Sequence, residues 1–166
     1  SKSWRKSENA DPAMNSRRIA AAELPDLLKL YAILHPDDPV VDATAPDVRQ
    51  LWQKILADPN LRYYVAEHDG KVVATCTLTI IPNLTRRLRP YGVIENVVTH
   101  PAYRKHGFAT EVLGFALDDA WQNRCYKVML ETGSKEEETL RFYEKAGFMR
   151  GVKTGFIAYP DATVND

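Results

Sequence analysis

The stretch Ile94-Glu95-Asn96-Val97-Val98-Thr99-His100-Pro101-Ala102-Tyr103-Arg104-Lys105-His106-Gly107-Phe108-Ala109-Thr110 decides how the rest of this 166-residue chain is read. A β-prone run enters a basic turn carrying a glycine, and the turn opens into a helix predicted over residues 108–123. The first N–H groups of a helix have no intrahelical acceptor, and the helix dipole places positive charge there, so such a start attracts anions. Gly107 and the small Ala109 would admit a phosphate to the backbone, while Arg104, Lys105 and His106 add charge beside it. A pyrophosphate suits that cradle. A plain turn with a solvated basic loop is the other reading, and spacing alone does not separate the two. The stretch is neither Gly-x-Gly-x-x-Gly nor a Gly-Lys-Ser/Thr loop, which disfavours dinucleotide redox chemistry and nucleotide hydrolysis.

Working outward, the strand before the loop is predicted over 92–99, a further strand over 127–132 and a helix over 136–146. Upstream, residues 62–67 and 71–81 read as a hairpin around His68-Asp69-Gly70. Leu24, Leu27, Leu28, Tyr31 and Leu34 recur at helical steps, and so do Val48, Leu51, Trp52, Ile55 and Leu56. Thr44 with Asp47 approximates a capping box for that second helix, with Pro46 in its first turn. A short strand is predicted at 18–22, and one or two more strands after Gly147, with 156–159 closing the sheet. The order βααβββαβαβ predicts one α/β (α+β) layer structure, a central mixed sheet flanked by helices. Residues 1–16 read as an N-terminal tail that is flexible or docks through Trp4, residues 17–160 as the domain and 161–166 as a C-terminal tail.

Lys and Arg total 22 and Asp and Glu total 22, so the chain lacks the basic excess of a protein built to grip nucleic acid. Cys76 and Cys125 are too few and too far apart for a disulfide framework or a structural zinc site, and read as small, reduced, apolar residues. No metal is expected. No run reaches the ~18 apolar residues needed to span a bilayer, and the start has no apolar core of a signal peptide, so a cytoplasmic protein with no membrane partner is expected.

Arg104-Lys105-His106-Gly107-Phe108-Ala109 resembles the Arg/Gln-x-x-Gly-x-Gly/Ala loop of the GCN5-related N-acetyltransferase (GNAT) superfamily, and the element order agrees. Thr139-Leu140-Arg141-Phe142-Tyr143-Glu144-Lys145-Ala146-Gly147-Phe148 resembles the superfamily's second signature. The motif match covers residues 93–148. The resemblance implies transfer of an acetyl group from acetyl-CoA to a primary amine of a small molecule, by direct attack in a ternary complex. It implies that amides of Lys105, His106, Gly107, Phe108, Ala109 and Thr110, with Arg104, hold the pyrophosphate. It further implies that Val97, Val98 and Thr99 offer backbone groups to the pantetheine arm, where two strands splay.

In the same resemblance Tyr143 matches the general acid that protonates the departing thiolate and contacts the cofactor, although its ring can equally pack on the sheet. Glu95 occupies a position where many relatives carry a carboxylate that takes the amine proton, and a partly buried carboxylate would be suited to that work. An exposed strand glutamate, or one paired to arginine, is the alternative, and His100 competes for the role. Glu136, beginning a Glu136-Glu137-Glu138 run, stands where many relatives have the Asn that contacts the pantetheine arm. Residues 92–99 and Cys125-Tyr126-Lys127 are similar to glucosamine 6-phosphate N-acetyltransferases, which makes that amino-sugar phosphate a subordinate expectation for the acceptor. A non-catalytic acetyl-CoA sensor of the same fold and a nucleic-acid binder are the competing classes. The oligomeric state, a homodimer included, is left open.

Overall fold

The structure, a computed structural model, describes residues 14–160. Most of the expected N-terminal tail, with Trp4, and the C-terminal tail lie outside the described residues. The chain divides into a unit ending at Leu130 and a second unit beginning at Glu131.

In the first unit the described residues run β1 (Met14–Arg18), α1 (Leu24–Leu34), α2 (Pro46–Ala57), β2 (Leu61–His68), β3 (Lys71–Ile81), β4 (Tyr91–Thr99), α3 (Phe108–Gln122) and β5 (Val128–Leu130). The five strands form one sheet in the order β1-β2-β3-β4-β5. The first four are antiparallel, and β4 runs parallel to β5. The mixed α/β architecture is therefore the expected one, with helices on both faces of the sheet. The β2–β3 turn follows from its residues: Asp69 and Gly70 both take positive φ, 49° and 75°, the conformation a two-residue hairpin needs.

Strand alternation sorts the side chains. Tyr64, Cys76, Leu78 and Ile94 are buried toward α3, whose Val112, Leu113, Ala116 and Ala120 are fully buried in return. The Cys76 thiol reaches the Val112 carbonyl at 3.7 Å, and both cysteines are free and buried. Arg62 of β2 donates to both Asp119 carboxylate oxygens of α3 at 2.9 Å, and the Tyr64 hydroxyl donates to the same carboxylate. On the opposite face Leu24, Leu27 and Trp52 form a core packed against Tyr31, Val48, Ile55 and Tyr63, with Trp52 donating its indole N–H to the Ala21 carbonyl at 2.9 Å.

Two local expectations in this unit are corrected. The first strand lies at Met14–Arg18, not 18–22, because the chain turns at a 3-10 helix over Ala21–Glu23, where the Glu23 carboxylate accepts the Ala20 N–H at 2.8 Å and binds Arg17 at 2.7 Å. The second helix is capped at Ala45 with no side-chain bond. Thr44 instead gives both its N–H and its hydroxyl to Asp42, so the expected capping box does not form, while Pro46 does open the helix.

In the second unit α4 (Glu137–Lys145) is the only helix among the described residues. Residues 156–159 form no strand, and Phe156 is 90 % exposed. Their β-propensity comes from residue type alone, which makes no strand without a paired edge.

Candidate active site

Lys105 and Gly107 both adopt left-handed backbone, φ 64° and 85°, and Gly107 is the N-cap of α3. The first bond of the helix runs from the Glu111 N–H to the Gly107 carbonyl at 3.0 Å, so the amides before it converge as the orphan donors of a helix start. Left-handed residues alternating with ordinary ones turn successive N–H groups toward one side, an arrangement that receives anions, and φ 85° at position 107 favours glycine over residues with a Cβ. Lys105, His106 and Thr110 are exposed, and Arg104 folds its Nε toward the Thr99 carbonyl at 3.4 Å. Phe108 is different. Its side chain is 3 % exposed and meets His68 and Tyr103 edge-on, so it anchors the loop to the core and offers only its amide to a ligand.

Leading into this loop, β4 pairs with β5 only at Gly92, Val93 and Ile94, opposite Val128, Met129 and Leu130. From Glu95 onward β4 keeps its β3 partner but has no strand on its other side among the described residues. Val97, Val98 and Thr99 thus lie on an open edge whose backbone groups need a ligand or water. A bulge marks the same place: between Thr77↔Glu95 and Thr75↔Val98 the register advances two residues on β3 but three on β4. Asn96 supplies the extra residue at φ 53°, a conformation asparagine tolerates better than most.

Glu95 shares its sheet face with Thr77 and Tyr63, across β3 and β2, on the side covered by α1 and α2. The Thr77 hydroxyl holds the Glu95 carbonyl at 3.1 Å. Of the two readings left open for Glu95, the side chain is exposed rather than partly buried, and no arginine pairs with it among the described residues. Burial pushes the Tyr31 phenol well above its ordinary range, with Tyr63 adding to the rise and the Asn96 side chain opposing it. The sequence reading placed Tyr31 only in an apolar helical stripe and gave Asn96 no role of its own, although an Asn inside a strand was a usable bulge signal. His100 accepts the Ala102 N–H on Nδ1 at 3.1 Å, so it caps the 3-10 turn Pro101–Tyr103. That is a local structural task.

In the second unit Tyr143 lies on α4, half-buried, with its ring edge-to-face on Phe142 at 5.1 Å and on Phe148 at 6.3 Å. The helix ends in paired bonds from Gly147 N–H to Glu144 and from Phe148 N–H to Tyr143, both 3.1 Å, with Gly147 at φ 110°. Glu136 is the N-cap of α4 and makes no side-chain capping bond. Glu137 pairs instead with Arg150 and Arg141, and the Arg150 guanidinium holds the Glu137 carboxyl below its usual range. Among the described residues no group of His, Cys, Asp and Glu is arranged to hold a metal ion, and no helix is long and apolar enough to cross a membrane.

Comparison with known proteins gives this geometry a family. The chain is 38% identical over 79 residues to the glucosamine 6-phosphate N-acetyltransferase of Trypanosoma brucei brucei, a match covering 48% of this chain and 52% of the relative. It is 34% identical over 65 residues to N-alpha-acetyltransferase 30 of Saccharomyces cerevisiae, covering 39% of this chain and 37% of that protein. The matches thus span about half or less of these curated relatives' length. A solved structure described as a putative acetyltransferase from Agrobacterium tumefaciens superposes with a TM-score of 0.82 at 43% identity, over 87% of this chain and 99% of that one. The profile of the acetyltransferase (GNAT) family matches residues 27–148, which hold the loop, the open β4 edge and Tyr143, and the chain belongs to that family.

Proposed function

We propose that this chain transfers the acetyl group of acetyl-CoA to a primary amine of a small molecule, by direct attack within a ternary complex. The observation that carries the reading is the open edge of β4 after Ile94 running straight into a left-handed, glycine-capped helix start. An edge with unsatisfied amides suits the amide-bearing pantetheine arm, and the loop of residues 105–110 suits the diphosphate at its end. The thioester supplies an activated acyl carbon. The amine nitrogen bonds to that carbon as the carbon–sulfur bond breaks, one amine proton leaves to a base, and the sulfur takes a proton.

In this reading Glu95 receives the amine proton, directly or through a water, from an exposed position beside the bulge where β4 and β5 part. Tyr143 gives its hydroxyl proton to the departing sulfur, and the ring contacts with Phe142 and Phe148 limit how that hydroxyl can turn. The likeness to a glucosamine 6-phosphate N-acetyltransferase favours an amino-sugar phosphate among the acceptors, while the likeness to an N-alpha-acetyltransferase shows that likeness alone does not choose one.

The test is thiol release from acetyl-CoA against a panel of amines, paired with calorimetric titration of coenzyme A. Binding with acetyl transfer supports the reading. Binding with no turnover on any amine makes the chain a sensor of acetyl-CoA, and absence of binding removes the reading altogether.

A further inference from the structure

Three rings in mutual contact gather at the two ends of the loop of residues 104–107. The His68 ring lies 5.3 Å from that of Phe108 and 5.9 Å from that of Tyr103, and Tyr103 lies 6.0 Å from Phe108, every pair edge-to-face. Tyr103 is the last residue before the loop and Phe108 the first after it, so both flanks of the loop close on one imidazole that belongs to neither. Edge-to-face pairs at such separations attract and favour particular orientations, and in this triangle each ring is held by two others.

The imidazole takes its place from the sheet. His68 ends β2 and pairs with Met14 of β1 on one side and with Lys71 of β3 on the other, and the tight turn Asp69-Gly70 follows it directly. Its Nε2 lies 3.2 Å from Asp69 Oδ2, while Nδ1 is enclosed and forms no hydrogen bond among the described residues, so the ring acts mainly by contact. A second tie joins the same hairpin to the same loop. The register between β2 and β3 passes over Val73, and the Val73 carbonyl accepts the His100 N–H at 2.8 Å. His100 caps the 3-10 turn that ends at Tyr103 and meets the Tyr103 ring edge-on at 5.6 Å.

Arg104, Lys105, His106 and Gly107 are all exposed, so burial does not order the loop itself. Its order comes from its flanks. A row of backbone N–H groups receives an anion only while its members stay turned to one side, and a loop held in that form before binding loses less entropy when the anion arrives.

We infer that His68 is a positioning residue for this loop: its ring, fixed by the β2–β3 hairpin, holds Tyr103 and Phe108 so that the amides of residues 105–108 stay turned toward a diphosphate. This rests on the acetyltransferase reading above and adds to its cofactor site a residue of a different element, outside both signature motifs.

The experiment compares His68→Ala and His68→Phe with the wild type, each as the full-length chain. Calorimetry reads the affinity for coenzyme A. Amide hydrogen exchange without ligand reads the Tyr103 N–H, bonded to the His100 carbonyl at 2.9 Å, and the Glu111 N–H, bonded to the Gly107 carbonyl at 3.0 Å. His68→Ala should bind coenzyme A at least fivefold more weakly and exchange both amides at least fivefold faster. The Arg49 N–H, in the first turn of α2, should exchange as in the wild type. His68→Phe keeps an aromatic ring and should restore both readouts. A general loss of stability gives no such restoration: Ile55→Ala, in the core beside Leu24, Leu27 and Trp52, should lower the denaturation midpoint and leave coenzyme A affinity unchanged. If circular dichroism shows His68→Ala unfolded, His68→Leu, which fills space without a ring, takes its place with the same expectations. Unchanged affinity and exchange overturn the inference. So does a His68→Phe no better than His68→Ala, or a change in affinity with none in exchange. Coenzyme A binding by the wild type with no effect of His68→Ala sinks this inference and keeps the cofactor reading. A wild type that binds no coenzyme A, with the exchange differences present, sinks the cofactor reading and keeps His68 as the residue that orders the loop.

Discussion

Phe148 donates its backbone N–H to the Tyr143 carbonyl at 3.1 Å and lays its ring edge-to-face on the Tyr143 ring at 6.3 Å. The two contacts belong to one helix stop, in which Gly147 turns the chain at φ 110° so that the residue after it can reach back. The packed ring survives in Tyr143→Phe, and only the hydroxyl is lost. Coenzyme A affinity should stay nearly constant while turnover drops by roughly ten- to a thousandfold. Equal turnover of wild type and variant on a good acceptor would return Tyr143 to a packing role. Gly147→Ala, by contrast, acts on the helix stop itself and should lower stability by about 1 kcal/mol, read as a fall in the denaturation midpoint.

Gly107 tests the cofactor loop. Val at this position is poorly suited to φ 85° and would distort the helix start that the reading gives to the diphosphate. Gly107→Val should bind coenzyme A at least tenfold more weakly by calorimetry. An unchanged dissociation constant in the folded variant would show that these amides do not hold the diphosphate.

The parts of this fold that were legible in the sequence are those where one residue type meets one backbone demand. The left-handed N-cap at Gly107, the Asp69-Gly70 turn and the apolar stripes of α1, α2 and α3 are of this kind. β1 was misplaced because Asn15, Ser16, Arg17 and Arg18 show no apolar alternation, and its position is set by pairing with β2. The strand expected at 156–159 failed for the complementary reason: Phe156, Ile157 and Tyr159 have the composition of a strand, yet the backbone there joins no sheet among the described residues. At the candidate site the loop was readable, but the bulge at Asn96 and the open edge after Ile94 depend on register between distant segments. Such relations have no signature within a single window.

Gly92 pairs with Ile80 of β3 and Val128 of β5 and leaves little room for a side chain between them. A Cβ there would lie 2.8 Å from Cδ1 of the fully buried Leu78 and 3.2 Å from Cγ2 of the half-buried Val128. Gly92→Ala should therefore destabilise the fold by about 1–3 kcal/mol through overpacking, a fall of roughly 2–4 °C in Tm for each kcal/mol. An unchanged Tm would show that the sheet yields at this point.

Arg17 bridges Glu23 at 2.7 Å and Glu67 at 3.0 Å, tying the end of β1 to β2 and to the turn before α1. The hydrogen-bonded guanidinium holds the Glu23 carboxyl below its usual range. Because its folded value is depressed, its contribution is fully present above the ordinary glutamate value of about 4.3 and is lost as pH falls through the lower folded value. Stability measured by urea denaturation should therefore decline on acidification below about pH 4.3, and Arg17→Met should make that decline shallower. Parallel acid limbs for the two proteins would remove Glu23 from the account.

Glu95 poses the sharpest chemical question, since its own side chain stands exposed beside the bulge and no neighbouring group has taken it into an ion pair among the described residues. An amine of high pKa reaches the site protonated at neutral pH and has to lose that proton before it can attack, whereas an amine of low pKa arrives free. If Glu95 accepts the proton, Glu95→Gln should depress turnover strongly with the first and weakly with the second, with thioester binding kept in both cases. The comparison is informative because Gln preserves the size and the hydrogen-bonding ability of the side chain while removing its basicity. A loss of the same small size for both amines would make Glu95 a positioning carboxylate. The base would then be sought elsewhere, and His100, whose Nδ1 is already occupied by the Ala102 N–H, offers only its other ring nitrogen.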